Sequence, residues 1–166
     1  ITPTAAGTGC TNFISQFTGT TVAATQSLAG CSGTADDDVW YRFVANGGSH
    51  TVTVTPSGGT SLNTPVFQVF SSSDNTCTGT FTSVVCQNAS TGAGTAETAT
   101  LANLINGNTY YIRVHSNANG TGQGQFTICV TKVNSPANDN CLTTVALTPN
   151  TTCTTTAPAS QATGTL

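Results

Sequence analysis

Charge is what this chain has least of. Of 166 residues, three are Lys or Arg and six are Asp or Glu, 5% in all, against about a quarter in an ordinary globular protein. A nucleic-acid binder neutralises phosphates with a basic stripe, and three basic residues cannot form one. No apolar run approaches the roughly 18 residues that would cross a bilayer as a helix, so membrane insertion is not expected. Methionine is absent and nothing like a leader precedes Ile1, which suggests a soluble chain processed or excised from something longer. Metal-type cysteine spacing is missing too, since no C-x-x-C occurs among the seven cysteines. That many cysteines without a zinc pattern point to an oxidising, extracellular setting.

What the chain has instead is threonine and serine, 36 and 14 residues, with Val, Ile, Phe and Tyr throughout. Disordered chains of low charge lack β-branched and aromatic residues, so this one folds, and it folds as β. Period-2 alternation bounded by Gly, Asn and Ser predicts strands near 19–25, 38–45, 49–56, 65–71, 80–86, 96–103, 108–116 and 124–133. Eight short strands predict an antiparallel β-sandwich or jelly roll, stapled by disulfides. Asn46-Gly47-Gly48 reads as a hairpin turn, and 117–122 as the connection of a second hairpin between the last two strands.

Alternation also assigns faces. Val39, Tyr41 and Phe43 share one side of their strand, Trp40 and Arg42 the other. Tyr110, Ile112 and Val114 oppose Tyr111, Arg113 and His115. With Val52, Val54, Phe126, Ile128 and Val130 the first sets make a core. The second sets, Trp40, Arg42, Tyr111, Arg113 and His115, form an outward aromatic and cationic row that could stack on a sugar ring or be covered by a neighbouring segment.

The tail repeats the head. Leu147-Thr148-Pro149 answers Ile1-Thr2-Pro3, Thr152-Cys153-Thr154 answers Gly9-Cys10-Thr11, and 162–166 answers Ala24 to Leu28, at offsets of 146, 143 and 138. This order implies a repeat unit of about 140 residues followed by the opening of the next. The unit is then 1–133, with a head segment 1–18 and a sandwich 19–133. Residues 134–166 are a linker and the start of the next repeat, or a connector between subunits, whose Val145, Ala146 and Leu147 need another unit to pack on. The repeat also orders the cysteines. Cys10, the counterpart of Cys153, is expected to find its partner outside the unit. Of the roughly 15 connectivities open to the other six cysteines, the expected set is Cys141 with Cys153, Cys77 with Cys86 and Cys31 with Cys129.

Three segments resemble one family. Ala35-Asp36-Asp37-Asp38-Val39-Trp40-Tyr41-Arg42-Phe43, Asn106 to Val114, and Gly124-Gln125-Phe126-Thr127-Ile128 resemble the bacterial pre-peptidase C-terminal type of β-sandwich module. The Ala137-Asn138-Asp139-Asn140-Cys141 start is similar to relatives repeated in tandem in large secreted surface proteins of Bacteroidota. The resemblance implies a non-catalytic accessory or adhesive module at the cell surface.

Catalytic chemistry finds little support. His50 and His115 are the only histidines, no nucleophile motif accompanies the serines, and both read as surface or sheet-edge residues, so an enzyme is not expected. Asp36, Asp37 and Asp38 are the one dense acidic cluster. Calcium is the ion such a cluster would take if enough oxygens converged; the simpler expectation is that the carboxylates accept from backbone N–H groups in a loop. No other cofactor is implied. The functional expectation is a structural and adhesive repeat module joining other copies head to tail into a fibre or long adhesin, without a nucleic-acid partner. The alternatives are a carbohydrate-binding module for surface glycans and an accessory domain of a secreted hydrolase.

Overall fold

A computed structural model of the chain describes residues 1–4, 16–89, 92–134 and 146. Contacts divide the chain into two compact units, Ile1–Val133 and Asn134–Leu166. Cys10, Cys141 and Cys153, and nearly all of the proposed connector 134–166, lie outside the described residues.

The first unit holds eight strands: β1 Gln16–Thr20, β2 Val39–Val44, β3 His50–Pro56, β4 Pro65–Ser72, β5 Phe81–Gln87, β6 Glu97–Leu101, β7 Thr109–Ser116 and β8 Gln125–Lys132. They form two four-stranded sheets, the first ordered β1-β8-β3-β6 and the second β2-β7-β4-β5. Every pairing between them is antiparallel. Strands that follow one another in sequence mostly change sheet, which is the winding of a jelly roll.

That winding overturns both expected hairpins. β2 and β3 belong to different sheets, as do β7 and β8, so Asn46-Gly47-Gly48 and 117–122 are arches across the sandwich; among the described residues, β4 and β5 are the only consecutive strands that pair. A glycine-rich turn permits a sharp reversal but does not choose between pairing within one sheet and crossing to the other. The first strand also sits earlier than expected. It ends at Thr20, and Ala23, with φ of 63°, belongs to a turn in which Ala24 N–H donates to the Thr21 carbonyl.

The expected core is the observed one. Phe43, Val52, Val54, Ile112, Val114, Phe126, Ile128 and Val130 are buried between the sheets, joined by Leu62, Phe67, Val69 and Leu101. Tyr41 meets Phe126 edge to face at 5.9 Å. Here the sheets approach so closely that a Cβ on Gly19 of β1 would run into the Tyr41 hydroxyl and the Phe126 ring. Gly107, at φ of 88°, makes the turn that enters β7.

Beside β1, residue Thr4 forms a parallel bridge with Thr131 of β8: its N–H donates to the Val130 carbonyl and its carbonyl accepts from Lys132 N–H. The outward face of the first sheet is a field of threonines. Thr51 stands between Thr100 and Thr131, and Thr53 beside Thr98. Thr51 and Thr100 hydroxyls lie 3.3 Å apart, those of Thr53 and Thr98 3.1 Å.

The expected disulfide pairing is corrected. Cys31 bonds Cys86, 55 residues on, rather than Cys129, and Cys77 is free and exposed rather than bonded to Cys86. Cys129 is itself disulfide-bonded. The sequence argument placed Cys86 in a local loop closure with Cys77. Cys86 instead stands on β5, where the segment carrying Cys31 can reach it.

Candidate functional site

The residues of the proposed platform do adjoin. β2 and β7 are neighbours, with Trp40 opposite Arg113 and Arg42 opposite Tyr111. β4 follows on the other side of β7, setting Gln68 opposite Arg113 and Phe70 opposite Tyr111. This outward face of the second sheet is nonetheless closed. Arg113 and His115 have no exposed surface and Tyr111 only 2%; Arg42 stays exposed and Trp40 is half-buried.

The segment leading into β2 is the cover. Arg113 Nη1 donates to the Leu28 carbonyl at 2.6 Å and to Asp38 Oδ2 at 3.4 Å. Its Nη2 donates to the Ala29 carbonyl and to Gln68 Oε1, both at 2.9 Å. Gln68 Nε2 passes the chain of bonds on to Ser83 Oγ of β5. Trp40 and Phe70 rings flank the guanidinium, each 5.8 Å away. Arginine suits this place because its planar fork satisfies several acceptors at once and its faces tolerate aromatic neighbours. Burial pulls its pKa down, and Asp38 pulls it back. The Cys31–Cys86 disulfide fastens the same cover to β5 covalently.

The three aspartates diverge. Asp38 accepts from the N–H and hydroxyl of Ser27, and that hydroxyl also accepts from Trp40 Nε1 at 2.8 Å. Asp37 accepts from Ser116 N–H at the end of β7, and Asp36 from Gly120 N–H at 2.6 Å. Each carboxylate therefore ties a different stretch of backbone to the loop. Asp36 Oδ1 and Asp37 Oδ2 are buried and have no hydrogen-bond partner among the described residues. Calcium requires six to eight oxygens, and among the described residues no three of His, Cys, Asp and Glu are grouped to hold a metal ion.

Both histidines are fully buried, contrary to the expectation of surface positions. His115 Nδ1 donates to the Ser116 carbonyl at 2.7 Å, and Nε2 has no partner among the described residues. Burial lowers its pKa first; Arg113 adds to this, while Ser116, Asp37 and Asp38 oppose it. His50 packs against Phe43, with Nε2 2.9 Å from Asn46 Oδ1. Burial, then Lys132, lowers its pKa as well.

This face still has openings among the described residues. A groove of about 350 Å³ is lined by Ser27, Leu28, Trp40, Cys77, Phe81 and Tyr111. A second hollow of about 240 Å³ shares Trp40, Cys77 and Tyr111 and adds Tyr41 and Arg42. Trp40 stacks on Phe81 at 5.4 Å, and the Tyr111 hydroxyl donates to the Asn75 carbonyl. Phe70, Phe81 and Gln68 were not among the expected site residues, and Cys77 was expected only as a partner of Cys86. The signal for Phe70 lay in β4, where Val66-Phe67-Gln68-Val69-Phe70 is apolar on both faces, the pattern of a strand buried on both sides.

No family model matches this sequence, and no curated protein matches it.

Proposed function

We propose that this chain is a non-catalytic extracellular module with a structural and adhesive role, one of a series joined head to tail. The observation that carries the reading is the closed outward face of the second sheet. Arg113 and Asp38 are engaged in holding the chain's own loop to its own strands, and Asp36 and Asp37 each tether a loop or strand end. The polar side chains that sequence alone offered for chemistry thus work as fastenings, and a disulfide reinforces them. The head-to-tail sequence match and the resemblance to tandem surface modules support the same reading, and with it a place at the cell surface.

The test is assembly. Full-length chains examined by sedimentation and electron microscopy are expected to form linear multimers; a strictly monomeric chain at high concentration contradicts the proposal. A carbohydrate-binding role is the second reading, favoured by the aromatic groove at Trp40, Phe81 and Tyr111. A glycan array separates the two, because only this second reading requires glycan binding that Trp40→Ala abolishes.

A further inference from the structure

Four strands stand at sheet ends, and they are not equally protected. β1 is five residues long, β5 carries a register shift where it meets β4, and β6 faces β5 across the sandwich. β2 is different. Its sequence Val39-Trp40-Tyr41-Arg42-Phe43-Val44 has no Pro, Lys or bulge and a single charge, the exposed Arg42, and among the described residues it bonds to β7 on one side only. A largely apolar edge strand with so little to discourage pairing is a template for a further strand.

The open side of β2 already carries one contact. The Ile1 amine donates to the Arg42 carbonyl at 2.8 Å. Backbone groups alternate sides along a strand, so the carbonyls and N–H groups of Trp40 and Val44 face the same way as those of Arg42. From this edge residues 1–4 cross to the first sheet, where Thr4 meets Thr131. The chain around Ile1 is therefore the point at which a preceding segment would arrive along β2.

The sequence contains a candidate for that segment. Leu147-Thr148-Pro149 is the counterpart of Ile1-Thr2-Pro3, so the residues before Leu147 correspond to whatever leads up to Ile1 in a following unit. Cys141-Leu142-Thr143-Thr144-Val145-Ala146-Leu147 is uncharged, free of Gly and Pro, and rich in β-formers. Its Ala146 is exposed. We propose that segment 141–147 of one copy adds as a fifth strand to the open side of β2 in the next copy, beside the Trp40 and Arg42 row. This is β-augmentation, in which main-chain bonds supply affinity and the adjoining side chains supply register. It rests on the head-to-tail reading and names the acceptor and donor that such a contact would use.

The experiment adds a peptide of sequence 137–149 carrying Cys141→Ser to the isotope-labelled full chain and follows amide exchange. Exchange at Trp40, Arg42 and Val44 is expected to slow at least tenfold, with the amides of β1, β5 and β6 unchanged. In parallel, Arg42→Pro removes an outward N–H without touching the β2–β7 ladder, and is expected to abolish self-association. If Arg42→Pro fails to fold, the exchange measurement decides alone. Chains that assemble while β2 amides stay unprotected, or are protected at another edge, overturn this inference and leave the assembly reading standing. Monomeric chains whose β2 amides the peptide still protects overturn the assembly reading and support β2 as a strand acceptor.

Discussion

On the first sheet the outward residues of β3 and β6 are threonines standing in register, Thr51 by Thr100 and Thr53 by Thr98, and water reaches them. On the second sheet the outward residues of β4 and β7 are Gln68, Phe70, Tyr111 and Arg113, and almost no water does. Both faces obey the same two-residue alternation. The difference lies in what covers them: the second sheet has a loop drawn over it by Arg113, three aspartates and a disulfide, while the hydroxyls of the first pair with one another across strands. A strand pattern tells which way a side chain points; only the loops tell whether that side is wet.

The sharpest way to break this contrast is at Arg113. Arg113→Met leaves the Asp38 carboxylate buried without its counter-charge and releases the Leu28 and Ala29 carbonyls, so urea unfolding should show a loss of about 3 to 5 kcal/mol. Adding Asp38→Asn is expected to recover part of it. A loss below about 1 kcal/mol would mean that the loop is held by something else.

The disulfide comes next. Replacing both Cys31 and Cys86 by Ser should cost about 4 kcal/mol by the chain-entropy estimate for so long a closure. In the native protein a thiol reagent should label Cys77 while sparing Cys31 and Cys86; labelling of Cys31 instead would refute the pairing. A smaller effect is set by pH. His50 and His115 both have folded pKa values below the ordinary histidine value, so the unfolded chain takes up protons that the folded one refuses. Their contribution is expected to be complete above about pH 6.5 and to fall as the medium becomes more acid, by up to about 1.4 kcal/mol per pH unit for each group. Substituting His115 by Gln should flatten that slope in thermal melts between pH 7 and pH 5. The smallest effect belongs to the open face: Thr53→Ala is expected to change stability by no more than about 0.5 kcal/mol, and a larger change would show that this face too is covered.

Much of the sandwich was legible in residue pattern. Val52 and Val54 alternate with Thr51 and Thr53 because one face of β3 is dry and the other wet, and the chain states this directly. The partner of each strand was not legible, since Asn46-Gly47-Gly48 serves an arch as well as a hairpin. Arg113 and His115 were placed on the correct face, and a covering segment was one of the readings left open. Which segment covers it was not legible, because the one that bonds Arg113 lies about 85 residues away in sequence, and His115, read as a surface or sheet-edge residue, is buried. Cys86 misled for a related reason: its nearest cysteine in sequence, Cys77, is not its nearest in space. For Asp36 to Asp38 the sequence offered local turns within their own loop, whereas the three separate stretches of backbone they hold could be seen only in the fold.

The bridge between Thr4 and Thr131 has a consequence under tension. Because Thr4 runs parallel to β8, a pull applied through Ile1 and Val133 drags the two segments past one another along their length. Both Thr4 bonds, to Val130 and Lys132, are then loaded in shear and must fail together instead of unzipping in turn. The unit is thus braced along the axis on which a chain of such units would be stretched.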